Sequence, residues 1–170
     1  EVSEPEILVL SAAATNASCF GLCDGQVQLT ATGGTPNYTY NWSLGVIGNQ
    51  AGSSTTLCAG TYSVSVTDAN DCSAETNYLI EEPLNVFVTA DVDIASGCAP
   101  HLASFTNTTS ADAVVSTFVD YGDNTTESIV GLGAFNHIYE APGFYDVTVT
   151  ITTASGCSYT EVFNQLIEVY

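Results

Sequence analysis

Gly60-Thr61-Tyr62-Ser63-Val64-Ser65-Val66-Thr67-Asp68-Ala69-Asn70-Asp71-Cys72 is the stretch that decides the fold. From Tyr62 to Val66 apolar and small polar residues alternate, which places every apolar side chain on one face of an extended strand. Asp68-Ala69-Asn70-Asp71 then supplies side chains that bond to their own backbone and reverse the chain. The same period of two runs through Val27-Gln28-Leu29-Thr30-Ala31, Tyr38-Thr39-Tyr40-Asn41-Trp42 and Tyr145-Asp146-Val147-Thr148-Val149-Thr150-Ile151. Turn residues punctuate these runs at Gly33-Gly34-Thr35-Pro36-Asn37 and Ala141-Pro142-Gly143. No segment carries an apolar stripe of helical period. Short half-buried strands with frequent turns predict an all-β protein built as immunoglobulin-like antiparallel β-sandwiches.

The landmarks recur. Cys19 and Cys98 lie 79 positions apart, Gly60-Thr61-Tyr62 and Gly143-Phe144-Tyr145 lie 83 apart, and Cys72 and Cys157 lie 85 apart. Glu82-Pro83 echoes Glu4-Pro5, so the chain reads as a cut from a tandem array, with 1–5 as the tail of a preceding unit or a linker. The predicted domains are 1–83 and 84–170, joined at Glu81-Glu82-Pro83 by a linker that proline stiffens. The Tyr of each Gly-x-Tyr is either a tyrosine corner, its hydroxyl tying down a loop, or an ordinary core tyrosine.

The six cysteines, Cys19, Cys23, Cys58, Cys72, Cys98 and Cys157, favour disulfides and an oxidising, extracytoplasmic setting. A zinc site is the competing reading, but no second close pair or nearby His completes the half-site Cys19 and Cys23 would form. Spacing alone allows 15 pairings of six cysteines. The repeat suggests pairing first with last in each unit, Cys19 with Cys72 and Cys98 with Cys157, leaving Cys23 for Cys58. Such staples suit units whose cores are small.

Charge excludes whole classes of function. The chain of 170 residues has 19 Asp and Glu, two His and no Lys or Arg, a formal charge of −19. Phosphates find no cationic partner here, so nucleic-acid binding and attraction to an anionic membrane lose their driving force. With 45% hydrophobic residues and only 11% charged, the chain nevertheless has the apolar surface to fold. No run reaches the roughly 18 apolar residues of a membrane-spanning helix, and the first residues lack a signal-peptide pattern. The chain also lacks Met, so an internal or processed piece of a longer polypeptide is expected.

These residues resemble two known families. Ser18-Cys19-Phe20-Gly21-Leu22-Cys23-Asp24-Gly25, Gly33-Gly34-Thr35-Pro36-Asn37-Tyr38-Thr39-Tyr40-Asn41-Trp42 and the stretch from Cys58 to Cys72 are similar, in order, to the SprB-type repeat, over roughly residues 6 to 83. Asp71 stands where that family usually has Gly. Residues 84 to 170 resemble a PKD domain through Gly97-Cys98-Ala99-Pro100, Phe105-Thr106-Asn107-Thr108, Asp120-Tyr121-Gly122-Asp123, His137-Ile138-Tyr139 and Ala141-Pro142-Gly143-Phe144-Tyr145. Phe118 stands near a position where Trp is common, and Asn124 replaces the Gly that often follows Asp-x-Gly-Asp. The resemblance implies a surface-exposed repetitive protein, as in the giant cell-surface adhesins of gliding Bacteroidota exported by type IX secretion.

Candidate chemistry is sparse. No nucleophile elbow, zinc-protease helix or phosphate loop is present, so no enzyme is expected. His137 reads as a packed, hydrogen-bonded strand residue, and His101 lies far from it in sequence. Asp120 and Asp123 form a conceivable glycosidase pair, yet their spacing in a Gly-containing turn favours bonds to the backbone. Calcium is the more serious ligand, through Asp120, Asp123 and Asn124, or Asp68, Asn70 and Asp71, with turn stabilisation as the competing reading. Tyr38, Tyr40 and Trp42 share one strand face, expected to be core rather than a sugar platform. Asn16, Asn37, Asn41, Asn107 and Asn124 begin Asn-x-Ser/Thr sequons, which a bacterial source would leave as ordinary turn and strand content. The expected partners are neighbouring repeats of the same polypeptide or filament, with surface glycans as the alternative. The expected role is that of an extracellular stalk segment supporting adhesion or gliding, with a calcium- or glycan-binding module as its alternative.

Overall fold

A computed structural model describes residues 6–43, 53–110 and 114–170. The expected tail of a preceding unit, residues 1–5, lies outside them. The described chain contains strands and turns and no helix. It divides into two compact units, the first ending at Leu84 and the second beginning at Asn85.

In the first unit, β1 (Val9–Thr15), β2 (Gly25–Thr32) and β4 (Ser53–Leu57) form one antiparallel sheet. β3 (Thr39–Trp42), β5 (Gly60–Thr67) and β6 (Ser73–Ile80) form the other. Alternation determines which side chains turn inward. Val27, Leu29 and Leu57 from one sheet meet Val64 and Ile80 from the other, and Tyr40 and Trp42 pack against this cluster. Two of the three aromatics in the Tyr38–Trp42 stretch thus face the core, while Tyr38 donates its hydroxyl to Gly33 O at 2.6 Å.

The second unit repeats the plan on a larger core. β7 (Ala90–Val92), β9 (His101–Asn107) and β12 (Ala134–Tyr139) form one sheet. The facing sheet runs β11 (Thr126–Val130), β10 (Val114–Asp120), β13 (Gly143–Thr153), β14 (Ser158–Val169), β8 (Ser96–Gly97), with β8 parallel to β14 and every other pair antiparallel. Phe105 lies at the centre, stacked on Phe135 with ring centroids 5.2 Å apart and tilted against Tyr121 at 5.9 Å. Val119, Val147, Val149, Ile151 and Ile167 close over them.

Both Gly-x-Tyr motifs are tyrosine corners. Tyr62 donates its hydroxyl to Cys58 O at 2.9 Å and Tyr145 donates to Ala141 O at 2.7 Å, each reaching back four residues. The hairpin tips repeat as closely. Asp68 N–H donates to Cys72 O, and Thr153 N–H donates to Cys157 O, both at 2.9 Å. The residue before each cysteine, Asp71 (φ 64°) and Gly156 (φ 85°), takes the left-handed conformation that closes the loop.

The cysteines follow the expected pairing only in part. Cys23 and Cys58 are bonded, but Cys72 and Cys98 are exposed free thiols, so Cys19–Cys72 and Cys98–Cys157 are not formed. The reason is distance along the ladders. Ala17 N–H donates to Glu81 O, which sets Cys19 beside the Gly60/Ile80 end of the β5–β6 hairpin. Cys72 caps the opposite end, seven residue steps away, about 24 Å at the usual strand rise. In the second unit Cys98 sits next to the Gly97/Val169 pair, whereas Cys157 follows the Thr153 tip of β13. Nine paired steps of β13, about 30 Å, separate those ends. A disulfide spans Cα atoms no more than about 7 Å apart. The repeat puts equivalent cysteines at equivalent places, and within one unit those places are opposite ends.

Candidate functional site

With no Lys or Arg available, the carboxylates bond to backbone N–H groups, and the sequence candidates fall into two such turns. At the first, Asp68 is buried. Its Oδ2 accepts the Thr35 N–H at 2.8 Å, and its Oδ1 accepts the N–H groups of Asn70 and Cys72, both at 2.9 Å. The Thr35 N–H holds the Asp68 carboxyl below its ordinary range, burial opposes it, and the Cys72 and Asn70 bonds add to the lowering. Asn70 is turned away from Asp68 and donates from its amide to Thr35 Oγ1 at 2.7 Å. Gly34 (φ 62°) passes so close that a Cβ there would lie 2.6 Å from Asp68 Oδ2, so only glycine fits. Asp71 contributes its left-handed backbone. Beside this turn is a cavity of about 330 Å³ lined by Ile7, Leu8, Gly34, Asp68 and Cys72 among others.

The second turn follows β10. Asp120 Oδ1 accepts the Gly122 N–H at 2.9 Å, and Asp123 Oδ1 accepts the Thr125 N–H at 3.0 Å and the Thr125 hydroxyl at 2.5 Å. Gly122 (φ 80°) has no room for a side chain, because a Cβ would collide with Asp146 O. Asn124 is left-handed too (φ 71°), which is why Asn can replace Gly there. Asp123 Oδ2 lies 2.7 Å from His137 Nε2, the one ion-pair geometry among the described residues. The His137 ring stacks on Tyr121 at 3.9 Å and meets Tyr139 edge-on at 4.7 Å, as expected of a packed strand histidine.

This Thr–His–Asp contact lacks the arrangement of a catalytic triad. A triad needs the nucleophile on one ring nitrogen and the acid on the other, so that the base can take the nucleophile's proton. Here Thr125 Oγ1, at 3.3 Å, and Asp123 Oδ2 both contact Nε2. His101 is engaged elsewhere, with Nε2 3.0 Å from Ile94 O, a carbonyl that can only accept and so fixes the proton on that nitrogen. Among the described residues no three His, Cys, Asp or Glu side chains come together as a metal-binding group.

Several carboxylate anchors were not singled out in the sequence, among them Asp24, Asp93 and Asp146. Asp24 accepts from the Ser18 hydroxyl and N–H, Asp93 from the N–H groups of Ser104 and Ile94, and Asp146 from the Gln165 N–H. Only Asp24, directly before a glycine, carried a turn signal.

Asp123 supplies a pH test. Burial works to raise its carboxyl, but the bonds from Thr125 and His137 outweigh burial and hold it below the ordinary value. A depressed folded-state pKa means that the unfolded chain binds the proton first. The stability from this group is therefore complete above about pH 4 and disappears as pH falls through the folded value. Asp123→Asn should cost the second unit about 1 kcal/mol at neutral pH and flatten its acid loss below pH 4, read from urea melts across pH. An unchanged acid limb in the variant would refute this role.

Two family models match. The model for the SprB repeat matches residues 11–46, and the model for the PKD domain matches residues 80–167. The second match spans more than half of the chain. The chain belongs to the PKD domain family. The PKD unit is thus the one with the Asp120–Asp123 turn and the Phe105 core, preceded by the unit carrying the SprB match. No curated protein matches the chain. Among solved structures, domains 4 and 5 of the S-layer protein SbsC are 14% identical, covering 98% of this chain and 99% of that one at a TM-score of 0.36. The fibronectin(III)-like modules of CbhA from Clostridium thermocellum are 11% identical, covering 96% and 93% at 0.40. The amphioxus IgVJ-C2 molecule is 11% identical, covering 90% and 94% at 0.38. At such values the fold is read from the chain's own strands.

Proposed function

We propose that this segment is a structural stalk of an extracellular, repetitive cell-surface protein of the adhesin type, which carries a binding region located elsewhere in the polypeptide. One observation carries the reading: both units place the same tyrosine corner and the same cysteine-ended hairpin loop at the same positions, so the described polar groups build architecture. The SprB and PKD matches support it, since both are modules of repeat-built surface proteins. The finer reading is a gliding or attachment adhesin of Bacteroidota exported by type IX secretion, supported by the order of motifs from Cys19 to Cys72. Neither histidine is arranged for acid–base work, and the stalk reading assigns the segment no catalysis.

The test is binding by residues 1 to 170. A stalk melts at the same temperature in millimolar calcium and in chelator, and it gives no signal on a glycan array. A calcium site occupied at about 100 times its dissociation constant would add about 2.7 kcal/mol, a shift of roughly 10 °C or more in a unit of this size. Such a shift, or a reproducible glycan signal, would replace the stalk with a binding module.

A further inference from the structure

Apart from the Cys23–Cys58 bridge of the first unit, each unit carries one cysteine at the end where the chain comes in and one at the end where it leaves. At the leading ends, Cys72 and Cys157 close the same hairpin loop. In both, the cysteine N–H donates to the side chain of the residue four before it, Asp68 Oδ1 at 2.9 Å and Thr153 Oγ1 at 3.3 Å. At the trailing ends, Cys19 lies two residues beyond Ala17, whose N–H holds Glu81 O, and Cys98 lies between Gly97 and Ala99, which exchange hydrogen bonds with Tyr170. Two of these positions, leading Cys72 and trailing Cys98, are exposed free thiols in a chain whose Cys23 and Cys58 are oxidised.

The surroundings of the two thiols are complementary. Cys72 lines the 330 Å³ cavity, whose apolar lining includes Ile7 and Leu8. The end that carries Cys98 projects Phe144 of β13 and Tyr170, the residue after β14, 64% and 63% exposed. One thiol therefore adjoins an apolar recess and the other adjoins protruding aromatics.

We propose that Cys72 of one copy and Cys98 of a second copy form an intermolecular disulfide, joining like units leading end to trailing end, with Phe144 and Tyr170 seated against the Ile7–Leu8 recess. The inference deepens the stalk reading and rests on it for its partner, a further like unit. The bond forms by two exchanges with a low-molecular-weight disulfide as oxidant. One thiolate attacks the oxidant, giving a mixed disulfide and releasing one thiol. The second copy's thiolate then attacks the protein sulfur of that mixed disulfide and expels the second thiol. Two protein thiols become one disulfide, and the oxidant gains both electrons and both protons.

The test uses residues 1 to 170 with oxidised glutathione, followed on non-reducing gels, with cross-linked peptides mapped after cleavage at Glu and at aromatic residues. The unsubstituted chain should build a ladder beyond dimer. Cys72→Ser and Cys98→Ser should each stop at dimer, and a mixture of the two variants should form the Cys72–Cys98 heterodimer at least tenfold faster than either forms its homodimer. Higher salt should speed the mixed reaction, since two copies each carrying 19 Asp and Glu and no Lys or Arg repel one another. Equal rates for the three dimers, or a ladder mapped to Cys72–Cys72 and Cys98–Cys98, would overturn the proposal. That failure is distinct from failure of the stalk reading, which is registered by calcium or glycan binding and not by thiols. Both positions are exposed, and an unchanged circular dichroism melt shows that each variant folds.

Discussion

Replacing Cys23 and Cys58 together by alanine should lower the stability of the first unit by about 4 kcal/mol. The bond spans a sequence separation of 35 residues, and closing a loop of that length removes about that much conformational freedom from the unfolded chain. The unit depends on it because its core is small: among the described residues, its buried cluster consists of Val27, Leu29, Leu57, Val64 and Ile80. For a domain of this size, that cost corresponds to a melting temperature lower by about 15–30 °C. Calorimetry should show the shift in the first unit's transition and leave the PKD unit's transition in place. A shift under about 5 °C would mean that the bridge records proximity without holding the unit together.

The PKD unit should respond most to Phe105→Ala, with a loss of about 3–5 kcal/mol. Phe105 is fully buried, and its ring contacts both Phe135 and Tyr121. Truncation leaves a void between two sheets whose backbones are pinned by long ladders, so neighbours cannot collapse into it. Phe105→Leu should recover more than half of the loss, because much of the volume returns and only the ring contacts stay absent. Urea denaturation of both variants checks this. Equal losses for Ala and Leu would place the stabilisation in ring geometry, while a loss below about 1 kcal/mol would show that the site repacks.

The strands were legible because period-two alternation is a local property, and Tyr62 to Val66 and Tyr145 to Ile151 take their faces from it. The tandem repeat was legible in its recurring landmarks, and the structure places one such pair, Cys72 and Cys157, at equivalent hairpin tips. Of the three expected disulfides Cys23–Cys58 is formed, and the two that pair first cysteine with last failed at the next step. Matching the first cysteine of a unit to its last assumes that similar spacing means proximity, whereas the ladders carry Cys72 away from Cys19 and Cys157 away from Cys98. That separation is a long-range consequence of register, and no local pattern records it. Asp71 and Asn124 show the opposite case. Each was noted as a departure from a family glycine, and each proves to occupy a left-handed position where an Asp or Asn can stand in. The carboxylate anchors at Asp93 and Asp146 were invisible because their partners, Ser104 and Gln165, lie 11 and 19 residues away.

The parallel pairing of β8 with β14 gives the PKD unit a direction under load. Pulled apart through its neighbours in a polypeptide, β8 is drawn toward the N-terminus and β14 toward the C-terminus. Parallel strands drawn in opposite directions slide past each other, so the bonds Glu168 N–H to Ala95 O, Tyr170 N–H to Gly97 O and Ala99 N–H to Tyr170 O share the force at once. An antiparallel hairpin opened from its free end would surrender them one at a time. The short strand β8, two residues long, therefore adds a shear-loaded set of bonds behind the ladder of β7 with β9, which tension from the N-terminal side meets first.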